Sequence, residues 1–186
     1  SIEEGAGVPA WSPDGAWLAF VTRVGEEREP KEKDEKERLR KRPFEVNELK
    51  SKFDALGHFR GRRPQIFLVS VEGGEAAQLT SGPYDSSMPA WSPDGTRIAY
   101  ESGDASGGGH IFVMNADGSA QTQLTNGSAT DFGPVWSPDG TRIAFVHGLD
   151  TTERYVYIMN ADGSDPHAVH PGGLQFVPSW QPHGDD

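Results

Sequence analysis

Cysteine is absent from this 186-residue sequence. Disulfides and thiolate zinc sites are thereby excluded, while a cytoplasmic and a periplasmic location both stay open. No apolar run approaches the ~18 residues of a membrane-spanning helix, so no membrane insertion is expected, and the opening residues SIEEGAGVPAW do not read as a secretory leader. Positive charge is scarce: 17 Lys and Arg stand against 28 Asp and Glu, a formal net charge of −11. Nucleic-acid binders carry a basic stripe, so nucleic acid is not an expected partner. Catalytic signatures are missing as well. The sequence has no G-x-S-x-G nucleophile elbow, no H-E-x-x-H zinc motif and no D-x-[DN]-x-[DN]-G calcium loop.

Gly (23), Pro (14) and five Trp are abundant. That composition disfavours long helices and suits many short strands joined by tight turns. The dominant pattern is an internal repeat, which has to be found first because it decides the fold. WSPDG occurs at Trp11, Trp91 and Trp136, and SWQPHG places Trp180 in the same role. RIAY (97–100) and RIAF (142–145) match WLAF (17–20). IFLVSVEGG (66–74), IFVMNADGS (111–119) and VYIMNADGS (156–164) keep a 45-residue beat, and QLT at 78–80 and 123–125 is followed by HAV (167–169).

Each unit reads as four short strands. In Ser-Pro-Asp-Gly, Pro presets φ, Asp caps the turn locally and Gly takes a conformation other residues resist. Asn-Ala-Asp-Gly-Ser predicts a hairpin with Gly118 and Gly163 at positive φ. Four strands at a period near 45 mark a β-propeller blade. The expected fold is therefore all-β: four-stranded antiparallel blades, three per chain plus one strand. Blade 1 spans 8–80 with an insertion at 25–64, blade 2 spans 86–125, blade 3 spans 131–170, and a final inner strand covers 175–182.

WSPDGTRIAF followed by IFVMNADGS and QLT resembles the TolB-type repeat, a relative of the WD repeat. The segment 41–80, KRPFEVNELKSKFDALGHFRGRRPQIFLVSVEGGEAAQLT, is similar to the propeller of acylaminoacyl peptidases of the prolyl-oligopeptidase family. The second resemblance implies a propeller that gates an α/β-hydrolase domain, for which this chain has no nucleophile elbow. The first implies that the strands ending at Trp11, Trp91, Trp136 and Trp180 lie nearest the ring axis.

Residues 26–42, EEREPKEKDEKERLRKR, hold seven acids and eight bases among 17 residues. Their spacing supports a solvated helix from about Lys31 to Lys41, or an arm that docks on an acidic partner. Residues 43–63 carry Phe44, Val46, Leu49, Phe53, Leu56 and Phe59 and are expected to pack on the propeller. Arg60, Arg62 and Arg63 form a basic cluster, either solvated or anion-binding.

Closed propellers have roughly four to eight blades, so three blades cannot close a ring, and exposed blade faces invite association. The expectation is a homodimer with three blades from each chain, in which strand 177–180 of one copy competes with strand 8–11 of the other. No cofactor, catalytic residue or metal ligand is assigned. Of the histidines (58, 110, 147, 167, 170 and 183), His167 and His170 read as loop residues. Candidate binding positions precede the innermost strands, where loops of several blades converge: Asp85, Ser86, Asp131, Phe132 and Gln175. Turn and capping roles are the alternative for each. The functional expectation is a non-catalytic binding module for a protein or peptide. The alternative is the substrate-gating part of a serine peptidase.

Overall fold

A computed structural model describes residues 9–25, 62–103, 108–148, 154–170 and 178–180. Twelve strands run in chain order: β1 (Ala10–Trp11), β2 (Trp17–Val24), β3 (Arg63–Ser70), β4 (Ala77–Gln78), β5 (Asp85–Trp91), β6 (Arg97–Gly103), β7 (Gly109–Asn115), β8 (Thr122–Gln123), β9 (Thr130–Trp136), β10 (Arg142–Gly148), β11 (Arg154–Asn160) and β12 (His167–His170). They form three four-stranded sheets in the orders β1-β2-β3-β4, β5-β6-β7-β8 and β9-β10-β11-β12. There is no helix among the described residues. The chain is all-β and built of partial propeller blades, as the repeat predicts.

The turns form as their residues require. In blade 2, the Ser92 hydroxyl accepts from the Arg97 amide at 2.9 Å and donates to Asp94 Oδ1 at 2.6 Å, while Asp94 Oδ1 also accepts from the Thr96 amide at 3.0 Å. Ser137, Asp139, Thr141 and Arg142 repeat these bonds in blade 3. Gly15, Gly95 and Gly140 close the three turns at φ of 71°, 71° and 69°, a region that disfavours any Cβ. Gly118 and Gly163 sit at φ of 84° and 87°, as expected of their hairpins.

The core lies between blades, not within them. Ala19, Ile66 and Leu79 of blade 1 meet Ile98, Tyr100 and Met114 of blade 2. On the other face of the same sheet, Ala99, Ile111 and Val113 meet Trp136, Ile143, Phe145 and Met159 of blade 3. Strand β6 is thus buried on both faces by strict alternation. The tryptophans lock this stacking. Trp91 Nε1 donates to the Ala10 carbonyl at 3.1 Å, Trp136 Nε1 to Ala90 O at 3.1 Å, and Trp180 Nε1 to Val135 O at 3.2 Å. Each indole reaches the carbonyl just before the preceding tryptophan.

Two expectations shift. His167 and His170 lie on β12, not in a loop. Ala168 pairs with Tyr157 as Gln123 pairs with Phe112, so the repeat unit QLT aligns with Ala168, Val169 and His170, one residue later than HAV. The 45-residue beat itself places QLT (123–125) on 168–170, and the β11–β12 register shift between Val156 and Tyr157 falls beyond the Tyr157–Ala168 pair.

Residues Arg23–Arg63, which include the end of β2 and the start of β3, form a second compact unit. The proposed helix at 31–41, the apolar residues Phe44 to Phe59, and Arg60 lie outside the described residues. Within the described part, Arg62 and Arg63 are half-buried and Arg63 opens β3.

Candidate functional site

The antiparallel registers bring one set of strand ends to a common rim. Asp85 at the start of β5 pairs with Gly103 at the end of β6, which pairs with Gly109 at the start of β7. In blade 3, Thr130 pairs with Gly148, and Gly148 with Arg154. One residue below this rim runs a cross-strand row in each blade: Ser86, Ser102 and His110 in blade 2, and Asp131, His147 and Tyr155 in blade 3. Bulges in the ladders, between Ser87 and Ala90 and between Ala144 and Val146, lie just beneath and bend the inner strands at this end.

The two junctions between blades are equivalent by the repeat but differ in chemistry. At the first, Gln65 of blade 1 donates through Nε2 to the Tyr84 carbonyl at 2.7 Å and accepts from the Thr80 hydroxyl at 2.7 Å. Behind it, the hydroxyls of Ser86 and Ser102 face each other at 3.3 Å. At the second junction, 45 residues on, His110 stands in place of Gln65, Asp131 in place of Ser86, and His147 in place of Ser102. His147 Nδ1 lies 2.7 Å from Asp131 Oδ1, and His110 Nδ1 lies 3.7 Å from Asp131 Oδ2.

Asp131 is a carboxylate with its side chain only 2% exposed, held between imidazoles from two blades. A buried acid of this kind needs partners, and His147 supplies the near one. His110 Nδ1 is buried and makes no hydrogen bond in this arrangement. The His147 ring also packs against Tyr157, with centroids 4.5 Å apart and ring planes tilted by 37°.

A second acid lies close by. Glu101 pairs with Ser87 across the sheet, and the Ser87 hydroxyl reaches Glu101 Oε2 at 3.5 Å. Burial raises the Glu101 pKa, the Ser87 contact opposes that shift, and the Asp85 carboxylate adds to it. Gly109 makes room for this group: a Cβ there would stand 2.7 Å from Glu101 Oε1 and 3.3 Å from the Asp131 carbonyl. Phe132 is half-buried and carries the Arg154 guanidinium over its ring at 5.2 Å from the centroid.

Of the positions anticipated from sequence, Asp85 and Ser86 fall on the blade 2 side of the rim, and Asp131 and Phe132 on the blade 3 side. Asp131 is drawn into a cluster, whereas Ser86 is paired with Ser102 as a blade-internal contact. Gln175 lies outside the described residues. Sequence reasoning passed over His110, His147 and Glu101 as partners of this site. The signal was available in the 45-residue alignment, where 65/110, 86/131 and 102/147 all change from neutral to ionisable or imidazole side chains. By contrast, the repeated turn aspartates are engaged in their own turns: Asp117 Oδ1 accepts from the Ser119 amide at 2.9 Å, and Asp162 Oδ1 from the Ser164 amide at 2.9 Å.

Comparison with known proteins agrees with this architecture. The family described as PD40, TolB beta propeller domain, matches residues 52–186. An uncharacterized peptidase of Bacillus subtilis (strain 168), YuxL, is 37% identical over 110 residues, which cover 56% of this chain and 17% of that protein. A TolB-type structure from Agrobacterium tumefaciens superposes with a TM-score of 0.66 at 21% identity, covering 94% of this chain and 53% of the other. An acylaminoacyl peptidase bound to a chloromethyl ketone superposes with a TM-score of 0.54 at 14% identity, covering 89% and 24%. The chain thus spans about half of the TolB-type protein and less than a fifth of the Bacillus peptidase.

Proposed function

Because the chain belongs to the TolB β-propeller family, we propose that it is a non-catalytic binding module that takes a protein or peptide at the rim of Asp85, Glu101, His110, Asp131 and His147. In this reading its ring is completed by self-association, with three blades from each of two chains. The observation that carries the binding role is the replacement of Gln65, Ser86 and Ser102 by His110, Asp131 and His147 at one of two otherwise equivalent junctions. A structural junction is served by the neutral set, so the ionisable set at the rim calls for another use. Two imidazoles, the nearby Glu101 carboxyl and the aromatic faces of Phe132 and Tyr157 offer hydrogen bonds and flat contacts to a peptide chain.

The test replaces one junction by the other. The variant H110Q/D131S/H147S installs residues that already pack at the first junction, so its fold is retained. An array of random immobilised peptides should be bound by the wild-type chain and lose that binding in the variant. Equal binding by both would reject the rim as the site.

A second reading is favoured by the 37% identity to the Bacillus peptidase: a gating propeller belonging to a serine peptidase. It predicts a nucleophile elbow in a longer reading frame. Fluorophosphonate labelling of a serine within these 186 residues would overturn the non-catalytic assignment altogether.

A further inference from the structure

Left-handed backbone singles out a residue that the repeat does not account for. Among the described residues, three side chains other than glycine stand at positive φ: Met88 at 51°, Ala120 at 53° and Asp165 at 54°. Ala120 and Asp165 lie 45 residues apart and hold the same place after the hairpins of blades 2 and 3. Met88 has Gly133 as its counterpart, at a φ of 64°. Both sit in the bulge of an inner strand, where Met88 and Pro89 stand opposite Tyr100, and Gly133 and Pro134 opposite Phe145. The place favours glycine twice over, because a Cβ resists positive φ and a following proline narrows the backbone further. Blade 2 nevertheless holds a long side chain there, under strain.

The thioether at that place is open to solvent. Met88 is 45% exposed, whereas Met114 and Met159 are each 1% exposed and belong to the two inter-blade cores. These are the three methionines of the chain, and it has no cysteine, so Met88 carries the one sulfur open to a soluble oxidant. This exposure does not come from lying at an end of the arc: β5 belongs to the middle blade and touches β1 on one side and β9 on the other. Met88 is also three residues along β5 from Asp85, and it follows Ser87, whose hydroxyl reaches Glu101. It therefore stands at the edge of the rim described above.

We propose that Met88 is a site of selective, reversible oxidation that turns this edge of the rim from apolar to polar without unfolding the blades. Hydrogen peroxide transfers one oxygen atom to the sulfur. The S–O bond forms as the O–O bond breaks, the sulfur is oxidised, and the reduced peroxide leaves as water. Thiol-dependent methionine sulfoxide reductases restore the thioether, and the oxygen again leaves as water. In the sulfoxide a polar acceptor replaces a soft apolar surface, which removes the hydrophobic contact that Met88 gives to a chain bound at the rim. Glycine, as at Gly133, would relieve the strain but offers neither the contact nor the sulfur. The oxidation site stands on exposure and chemistry; its effect on binding rests on the rim reading proposed above.

The experiment treats the full chain with dilute hydrogen peroxide and follows each methionine by peptide mass mapping. Gain of one oxygen at Met88 is expected to be about tenfold or more faster than at Met114 or Met159, which oxidise only when the cores open. The urea midpoint of the oxidised chain is expected to match that of the untreated one, and the midpoint of Met88→Gly to equal or exceed it. On the array of random immobilised peptides, the wild-type chain is expected to lose binding after peroxide and to regain it after reductase. Met88→Leu keeps an apolar side chain without sulfur, so its own binding is expected not to change on treatment. Equal oxidation rates at all three methionines, or a lowered urea midpoint in the oxidised chain or in Met88→Gly, would overturn the selective site. Wild-type binding that survives full oxidation of Met88 would overturn its role at the rim and leave the rim standing. Binding absent from the wild type, or retained by H110Q/D131S/H147S, would overturn the rim, while the mass map still decides the oxidation site.

Discussion

At the scale of single residues, the aspartates of the repeat and Asp131 do opposite things with the same carboxyl group. Asp94 and Asp139 are exposed, and hydrogen bonds from the hydroxyls of Ser92 and Ser137, followed by the amides of Thr96 and Thr141, bring their pKa down to about 2. Their folded pKa is lower than the unfolded value, so the stability they contribute is present above the ordinary carboxylate pKa and is lost as pH falls through about 2. D94N/D139N is therefore expected to unfold at lower urea than wild type at pH 7, with the gap narrowing between about pH 4 and pH 2; a gap independent of pH would assign these residues a purely geometric role. Asp131 instead depends on burial with His147. H147A leaves a buried carboxylate without its near partner and should cost about 1–3 kcal/mol in urea melts. The double change D131S/H147S should recover most of that loss, because Ser86 and Ser102 already pack as a pair at the equivalent place.

At the scale of elements, the strands and turns were legible because their signals are local. The serine, aspartate and glycine of WSPDG each satisfy a hydrogen bond or a φ within five residues of themselves, and strand alternation shows in RIAY and RIAF. The junction site was not legible in the same way. His110 and Asp131 are 21 residues apart in sequence and meet only because β7 of one blade ends up beside β9 of the next. Their proximity appears only when repeats are overlaid. The place of Val169 was legible from the same overlay, since it lies 45 residues after Leu124, whereas the bulge beside it was not, because a bulge is a one-residue event with no composition signal. The same inter-blade logic sets the worth of each tryptophan. Trp136 is 5% exposed within the second core, whereas Trp11 is 61% exposed. W136A is expected to cost about 3–5 kcal/mol and W11A less than about 0.5 kcal/mol when both are melted as dilute chains. A large loss for W11A under those conditions would mean that Trp11 is already covered.

At the scale of the whole molecule, charge and shape pull in opposite directions. Each chain carries a formal net charge of −11, so two approaching copies repel over a distance set by salt, about 10 Å at 0.1 M and about 3 Å at 1 M. The self-association proposed above would join apolar blade edges and not paired charges, so screening removes repulsion without weakening attraction. The dimer is therefore expected to tighten as sodium chloride rises from about 0.05 to about 0.5 M, where the Debye length becomes shorter than the blade spacing near 10 Å. Sedimentation equilibrium across that series gives the sign directly. An affinity that fell with salt would place opposite charges at the contact. The segment 26–42, whose eight bases and seven acids make it the cationic exception in an acidic chain, would then be the part of the sequence to delete, and restoration of the rising salt dependence on its removal would identify it as the arm that docks.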